Sequence, residues 1–169
     1  MYAPLEDEPE WFELKNISEN SINLKNWSVS DILSTPTKNM ITNHDIFIEP
    51  EEFIVMTRDT LFNGFHPDVS AQVFYVDFGT LNNDEDGVIL YDFRNHIIDS
   101  LLYDSDWGGK NGFSLERISP TDETNNSQNW TTSLSINRST PGAPNSVIEI
   151  PPYQRNTLVI NEIMFEPTE

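Results

Sequence analysis

No stretch of ten residues in this 169-residue chain repeats its apolar side chains at a helical spacing. What recurs is alternation. Residues 10–15 (EWFELK) interleave the apolar Trp11, Phe12 and Leu14 with charged residues, and Ile22, Leu24, Trp27 and Val29 follow with polar residues among them. Period-two patterning places one face of a strand in a core and the other towards solvent. Further β-rich runs are read at residues 45–48, 53–57, 73–78, 88–92, 97–103, 113–118 and 130–134. Glu49-Pro50-Glu51-Glu52 reads as a hairpin-like break, and residues 59–65 (DTLFNGF) as a single helical turn. Asp86-Gly87 ahead of Val88-Ile89-Leu90 reads as a hairpin turn, because Asp and Gly tolerate positive φ. Short strands at intervals of roughly 8–15 residues, separated by Asn, Gly and Pro, predict an all-β sandwich.

Charge narrows the function. There are 28 acidic and 9 basic side chains, a formal charge of −19. Phosphate backbones are held by clustered Lys and Arg, so nucleic acid is an unfavourable partner. No cysteine is present, so neither a disulfide framework nor a Cys nucleophile is available. No run of about 18 apolar residues is present, so no membrane-spanning helix is expected. Met1 is followed by acidic, Pro-containing sequence rather than a basic and then apolar run, so no signal peptide is visible in this sequence.

Three sets of residues are candidates for chemistry. Asn82-x-Asp84-x-Asp86-Gly87 matches the opening of a calcium loop, with alternate oxygen ligands before a Gly. Phe93 stands where the twelfth-position Glu would close it, so the hairpin turn is preferred for these residues. Asp99, Asp104 and Asp106 form a second group of oxygen ligands, with loop solvation the simpler reading; no cofactor is required by either group. Trp107, in the polar, Gly-containing stretch DSDWGGKNG, is the aromatic singled out for contact with a glycan or protein ligand. Trp27 and Trp130 sit in strand-like runs and are assigned to packing. His44, His66 and His96 are scattered without metal-ligand spacing. No G-x-S-x-G elbow is present, and nothing in the pattern pairs a nucleophile with a base, so the chain is read as non-enzymatic.

Several blocks taken together resemble lamin tail domains, especially the bacterial ones. In order they are EPEWFELKN, INLKNWSVSD, IEPEEFIVM, LNNDEDGVILYD, HIIDSLLY, GFSLERISP, NW and STPGAPN, with INEIMFEP at the far end. The resemblance implies an immunoglobulin-like β-sandwich and a non-catalytic module, of the kind found in animal lamins and appended to secreted bacterial proteins, some of them nucleases. No catalytic residue is carried over. Lamin tails contact chromatin components, a property this chain's acidity opposes.

The resemblance also bears on a likeness within the chain. Met164-Phe165-Glu166-Pro167 aligns with Met1-Tyr2-Ala3-Pro4. In lamin tail domains an INEI-type segment is the first strand and precedes the Met-x-x-Pro turn. The expected organisation is therefore a sandwich over residues 1–145 without that strand, a Pro-containing linker over 146–157, and the first strand of a next repeat over 158–169. Val159, Ile160, Asn161, Glu162 and Ile163 are expected to complete a sandwich by strand addition, in their own chain or in a neighbouring repeat or copy. The function expected is that of an extracellular spacer or protein-interaction module, tandemly repeated in a larger secreted or surface protein. The alternative is an accessory domain that binds glycan or protein for a secreted enzyme such as a nuclease or hydrolase.

Overall fold

The computed structural model describes residues 1–5, 7–32 and 37–148. Eleven strands are found among them: β1 (Trp11–Lys15), β2 (Ile22–Asn23), β3 (Ser28–Asp31), β4 (Asn39–Met40), β5 (Phe47–Ile48), β6 (Phe53–Thr57), β7 (Gln72–Tyr75), β8 (Glu85–Tyr91), β9 (Ile97–Asp104), β10 (Leu115–Arg117) and β11 (Trp130–Thr132). One helical turn, α1 (Phe62–Phe65), lies between β6 and β7, where a single turn was expected. The all-β reading therefore holds, and the fold is an immunoglobulin-like sandwich.

Two larger sheets carry the sandwich. One has the order β1-β6-β7 and the other β4-β3-β8-β9, while β2-β5 and β10-β11 form two-stranded ladders. The main core lies between the sheets and includes Leu24, Val29, Ile54, Met56, Phe78 and Leu90. The β1-β6-β7 sheet is covered on its other face too, where Trp11, Val55 and Phe62 of α1 close a second cluster with Met1. This double cover explains the unbroken apolar run Phe53-Ile54-Val55-Met56, which fits a strand buried on both faces. The β6–β7 pair is parallel, with α1 in the crossover between the two strands.

Two local expectations are corrected. Glu49–Glu52 does not turn a hairpin: β5 pairs with β2, whereas β6 pairs with β1. The chain there crosses from one ladder to another. It is fixed by bonds from Glu51 N–H to Asn16 C=O and from Asn16 N–H to Glu52 C=O. Asn16 itself is buried; its amide donates to Asn20 and Ile48 carbonyls at 2.8 and 2.9 Å, and its oxygen accepts from Ser18.

Asp86-Gly87 likewise lies inside β8, not in a turn. A Cβ on Gly87 would stand 2.0 Å from the Leu101 carbonyl oxygen of β9. The residue is therefore small because two backbones approach closely, and not because φ is positive. The β8–β9 hairpin turns at residues 92–96 instead. Asp92 Oδ1 accepts from the N–H groups of Arg94 and His96 at 2.8 Å, and Asn95 takes positive φ.

Candidate functional site

The charged residues that sequence patterning assigned to solvent include several that the sandwich buries. Asp86 is fully buried. It accepts from Asn82 N–H at 2.9 Å, from the Asn82 amide at 2.7 Å and from Gly87 N–H at 2.7 Å. Burial raises its pKa, and a hydrogen bond and like charge from Asp31 raise it further. Tyr103 closes this cluster by donating to the Asn82 carbonyl at 2.7 Å. Burial raises the Tyr103 pKa, with the nearby Asp86 and Glu10 adding to it. Glu10 is also raised by burial, while the Leu81 N–H and Arg58 oppose that shift.

A second buried acid, Glu116 of β10, is a fastening point. Its Oε1 accepts from Thr140 Oγ1 at 2.9 Å and from Ser114 Oγ at 3.3 Å. Its Oε2 accepts from both Ser146 N–H and Ser146 Oγ at 2.7 Å. The loop over residues 139–146 is thereby tied to β10. The same loop reaches β1, where Gly142 N–H donates to Glu13. Burial raises the Glu13 pKa to about 8, and Glu116 contributes by like charge.

Beneath that loop runs an apolar cleft of about 730 Å3, between β1 on one side and β10 on the other. Phe12, Leu14, Leu101, Tyr103, Leu115 and Trp130 are among the side chains along it.

The six residues considered as calcium ligands are not gathered into one place. Asp86 is buried, whereas Asn82, Asp84, Asp99, Asp104 and Asp106 are exposed. Asp104 caps a short 3-10 turn by accepting from Asp106 N–H at 2.7 Å. Asp106 lies 3.6 Å from Lys110, and Asp99 accepts from Thr124 Oγ1 at 2.8 Å. Among the described residues no group of three or more His, Asp or Glu side chains is placed to hold a metal ion. Trp107 ends that 3-10 turn and is half-buried against the main core, so its ring does not stand free in solvent. Trp27 and Trp130 are also half-buried; Trp27 lies between β2 and β3 rather than in a strand. Val159, Ile160, Asn161, Glu162 and Ile163, and the boundaries at 158–169, lie outside the described residues.

Two of the histidines are paired with carboxylates. His66 Nε2 is bonded to Glu8 at 2.8 Å, and His96 Nδ1 lies 3.3 Å from Asp92. Among the described residues neither ring is bonded to a hydroxyl.

The model of the lamin tail domain family matches residues 1–105. The chain belongs to the lamin tail domain family. The match spans β1 to β9 and so takes in the calcium candidates up to Asp104 and both faces of the β1-β6-β7 sheet. None of the curated proteins matches the chain. Sequence patterning had missed Glu116 as a buried residue of this lamin tail domain, and Glu13 as a half-buried one. A signal for Glu13 was present: in Trp11-Phe12-Glu13 it shares a strand face with Trp11, so that face could not be open to water.

Proposed function

We propose that this lamin tail domain is a non-catalytic extracellular module, serving as a repeated spacer or protein-interaction unit of a larger secreted or surface protein. The observation that carries the reading is the use made of the buried and half-buried acids. Asp86, Glu116 and Glu13 are tied to backbone N–H groups and hydroxyls that hold strands and loops together. Groups with shifted pKa mark functional sites when they stand in a cleft with a reaction partner. The partners of Asp86 and Glu13, whose pKa burial raises, are structural. The surface charge points the same way, since a domain of −19 is soluble, self-repelling and poor at holding phosphate backbones.

The experiment pairs activity with location. The purified chain should turn over no ester, glycoside or nucleic acid above the rate of a buffer blank. It should not shift duplex DNA at physiological salt. An antibody to the domain should label intact cells or culture medium of the source. Turnover at an enzyme-like rate, or a wholly cytoplasmic pool, would overturn the proposal.

A further inference from the structure

One sheet edge lacks the features that keep strands of different molecules apart. β7 is the outer strand of the β1-β6-β7 sheet. Val76 N–H donates to Thr57 C=O at 2.9 Å and continues the parallel β6–β7 ladder, so the even-numbered residues of β7 face β6. The odd-numbered ones, Val73 and Tyr75, turn their N–H and C=O groups outwards. Among the described residues those groups have no partner. Natural edges are blunted by charge, proline, a bulge or short length. Residues 71–76 (AQVFYV) carry no charge and no proline, although 22% of the chain is charged, and the β6–β7 register runs without a bulge.

The β4-β3-β8-β9 sheet is blunted at both of its edges. On β9 the Asn125 side chain occupies the edge, accepting from Leu102 N–H at 2.8 Å and donating to Ser100 C=O at 3.0 Å. β4 is only two residues long and follows Lys38. β7, by contrast, is held straight and ready to pair. Phe74 packs against the main core and Val73 against the cluster under α1, while the Tyr75 hydroxyl accepts from the Asn63 amide of α1 at 2.9 Å. Tyr75 is nevertheless 48% exposed. A partner for this edge must bring an extended strand without acids, because the domain as a whole carries −19. Every copy of this chain carries such a strand in β7 itself.

We propose that two copies of this chain associate edge to edge through β7, about a two-fold axis beside Phe74. Antiparallel pairing centred there sets Val73 opposite Tyr75 of the second copy, and Tyr75 opposite its Val73. Both are hydrogen-bonded pairs, so every outward N–H and C=O of these residues is satisfied. Phe74 meets Phe74 of the second copy as the closer, non-hydrogen-bonded pair, an aromatic contact of the kind that stabilises ladders. The two β1-β6-β7 sheets become one continuous sheet. Centring on Val73 would set Tyr75 against Ala71, over which Gly142 is already packed. Centring on Tyr75 would draw Asp77 into the ladder opposite Val73. At the Phe74 register Asp77 stands beside Ala71 of the second copy and keeps its own cation, Arg58, 3.5 Å away, so no acid meets an acid across the axis. Stable complexes bury about 1,200–2,000 Å2, more than so short a ladder supplies, and the repulsion of two −19 domains opposes contact. The dimer is therefore weak, with a Kd on the order of 0.1 mM, and tightens as salt screens the repulsion.

Sedimentation of the full chain from about 10 µM to about 1 mM tests this. Monomer should give way to dimer, and raising NaCl from about 0.05 M to about 0.5 M should lower the Kd at least about threefold. Over the same concentrations the amide shifts of residues 72–76 should move, those of Val73 and Tyr75 most. Tyr75→Pro removes an N–H that faces away from β6 and should abolish the dimer, while the variant melts as the unsubstituted monomer does. If that variant does not fold, the amide shifts of the unsubstituted chain decide alone. A dimer unchanged in folded Tyr75→Pro, or shifts centred away from β7, would assign association to another surface and overturn the proposal. Growth beyond dimers would overturn it too, since a two-fold pairing closes. So would a monomer at about 1 mM in high salt; slow exchange of the Val73 and Tyr75 amides in that monomer would give the edge to another part of this chain.

Discussion

Replacing Glu116 with Ala should unfasten the sandwich at one point. The carboxylate is 4% exposed and accepts four hydrogen bonds, two of them at 2.7 Å from Ser146. Truncation leaves the Ser146 N–H and three hydroxyls to find new partners. The hydroxyls can rotate towards water or a neighbouring carbonyl. A bond to a charged group is worth about 1.5–3 kcal/mol. Ser146 is exposed, so water can reach its N–H, and the loss is set by the bonds to the buried carboxyl rather than by an orphaned donor: about 3 kcal/mol. In a domain of this size that lowers the melting temperature by roughly 10 °C. Glu116→Gln keeps the shape and one acceptor for Ser146, and Thr140 and Ser114 can accept from its amide by turning their hydroxyls. It should lose only about 1 kcal/mol. Urea unfolding followed by tryptophan fluorescence measures both. Amide exchange at Ser146 should quicken in the Ala variant before the rest of the molecule opens. A loss below about 1 kcal/mol for Glu116→Ala, or equal losses for the two variants, would refute the reasoning.

Three further outcomes follow from the same structure. Glu13 has a pKa raised to about 8 in the fold against 4.5 unfolded, so the folded state binds the extra proton and stability falls as pH rises from about 4.5 through about 8. Unfolding measured at pH 5 and pH 8 should differ by a few kcal/mol, and Glu13→Gln should remove most of that difference; a difference that persists in the variant would place its origin elsewhere. Gly87→Ala drives a methyl group into the Leu101 carbonyl and should destabilise by about 3 kcal/mol, with the β8–β9 amides losing protection first; a neutral result would show that the strands can separate freely. Asn16→Ala removes bonds to Asn20, Ile48 and Ser18 and should cost about 2–3 kcal/mol in urea unfolding, where a loss under about 0.5 kcal/mol would mean that water replaces the side chain.

The strands were legible where a local rule was enough. The runs at Trp11–Lys15 and Phe53–Thr57 carry alternation or unbroken apolarity, and the structure places strands there. The turn at Phe62–Phe65 was legible for the same reason. What escaped was set by distant residues. Asp-Gly is a turn signal by itself, but Asp86 is held by Asn82 and Asp31, and Gly87 by the approach of Leu101. Glu49–Glu52 has a hairpin's composition, yet its flanking strands choose partners at Ile22 and Trp11 rather than each other. Glu116 in Leu115-Glu116-Arg117 reads as a solvated residue until the loop over 139–146 folds across it. Trp107 has the sequence setting of an exposed ring, and only the core beneath its 3-10 turn shows why it is half-buried.

The central claim is that the acids of this lamin tail domain fasten a sandwich and do not form a site. Thermal melting in millimolar Ca²⁺ and in chelator, on the same preparation, tests it most directly, because an ion that binds only the folded state must raise the melting temperature. The two curves should coincide apart from the small shift that screening of the −19 charge produces, a shift that Mg²⁺ should reproduce. A rise of several degrees specific to Ca²⁺, abolished by Asp84→Asn or Asp104→Asn, would contradict the account.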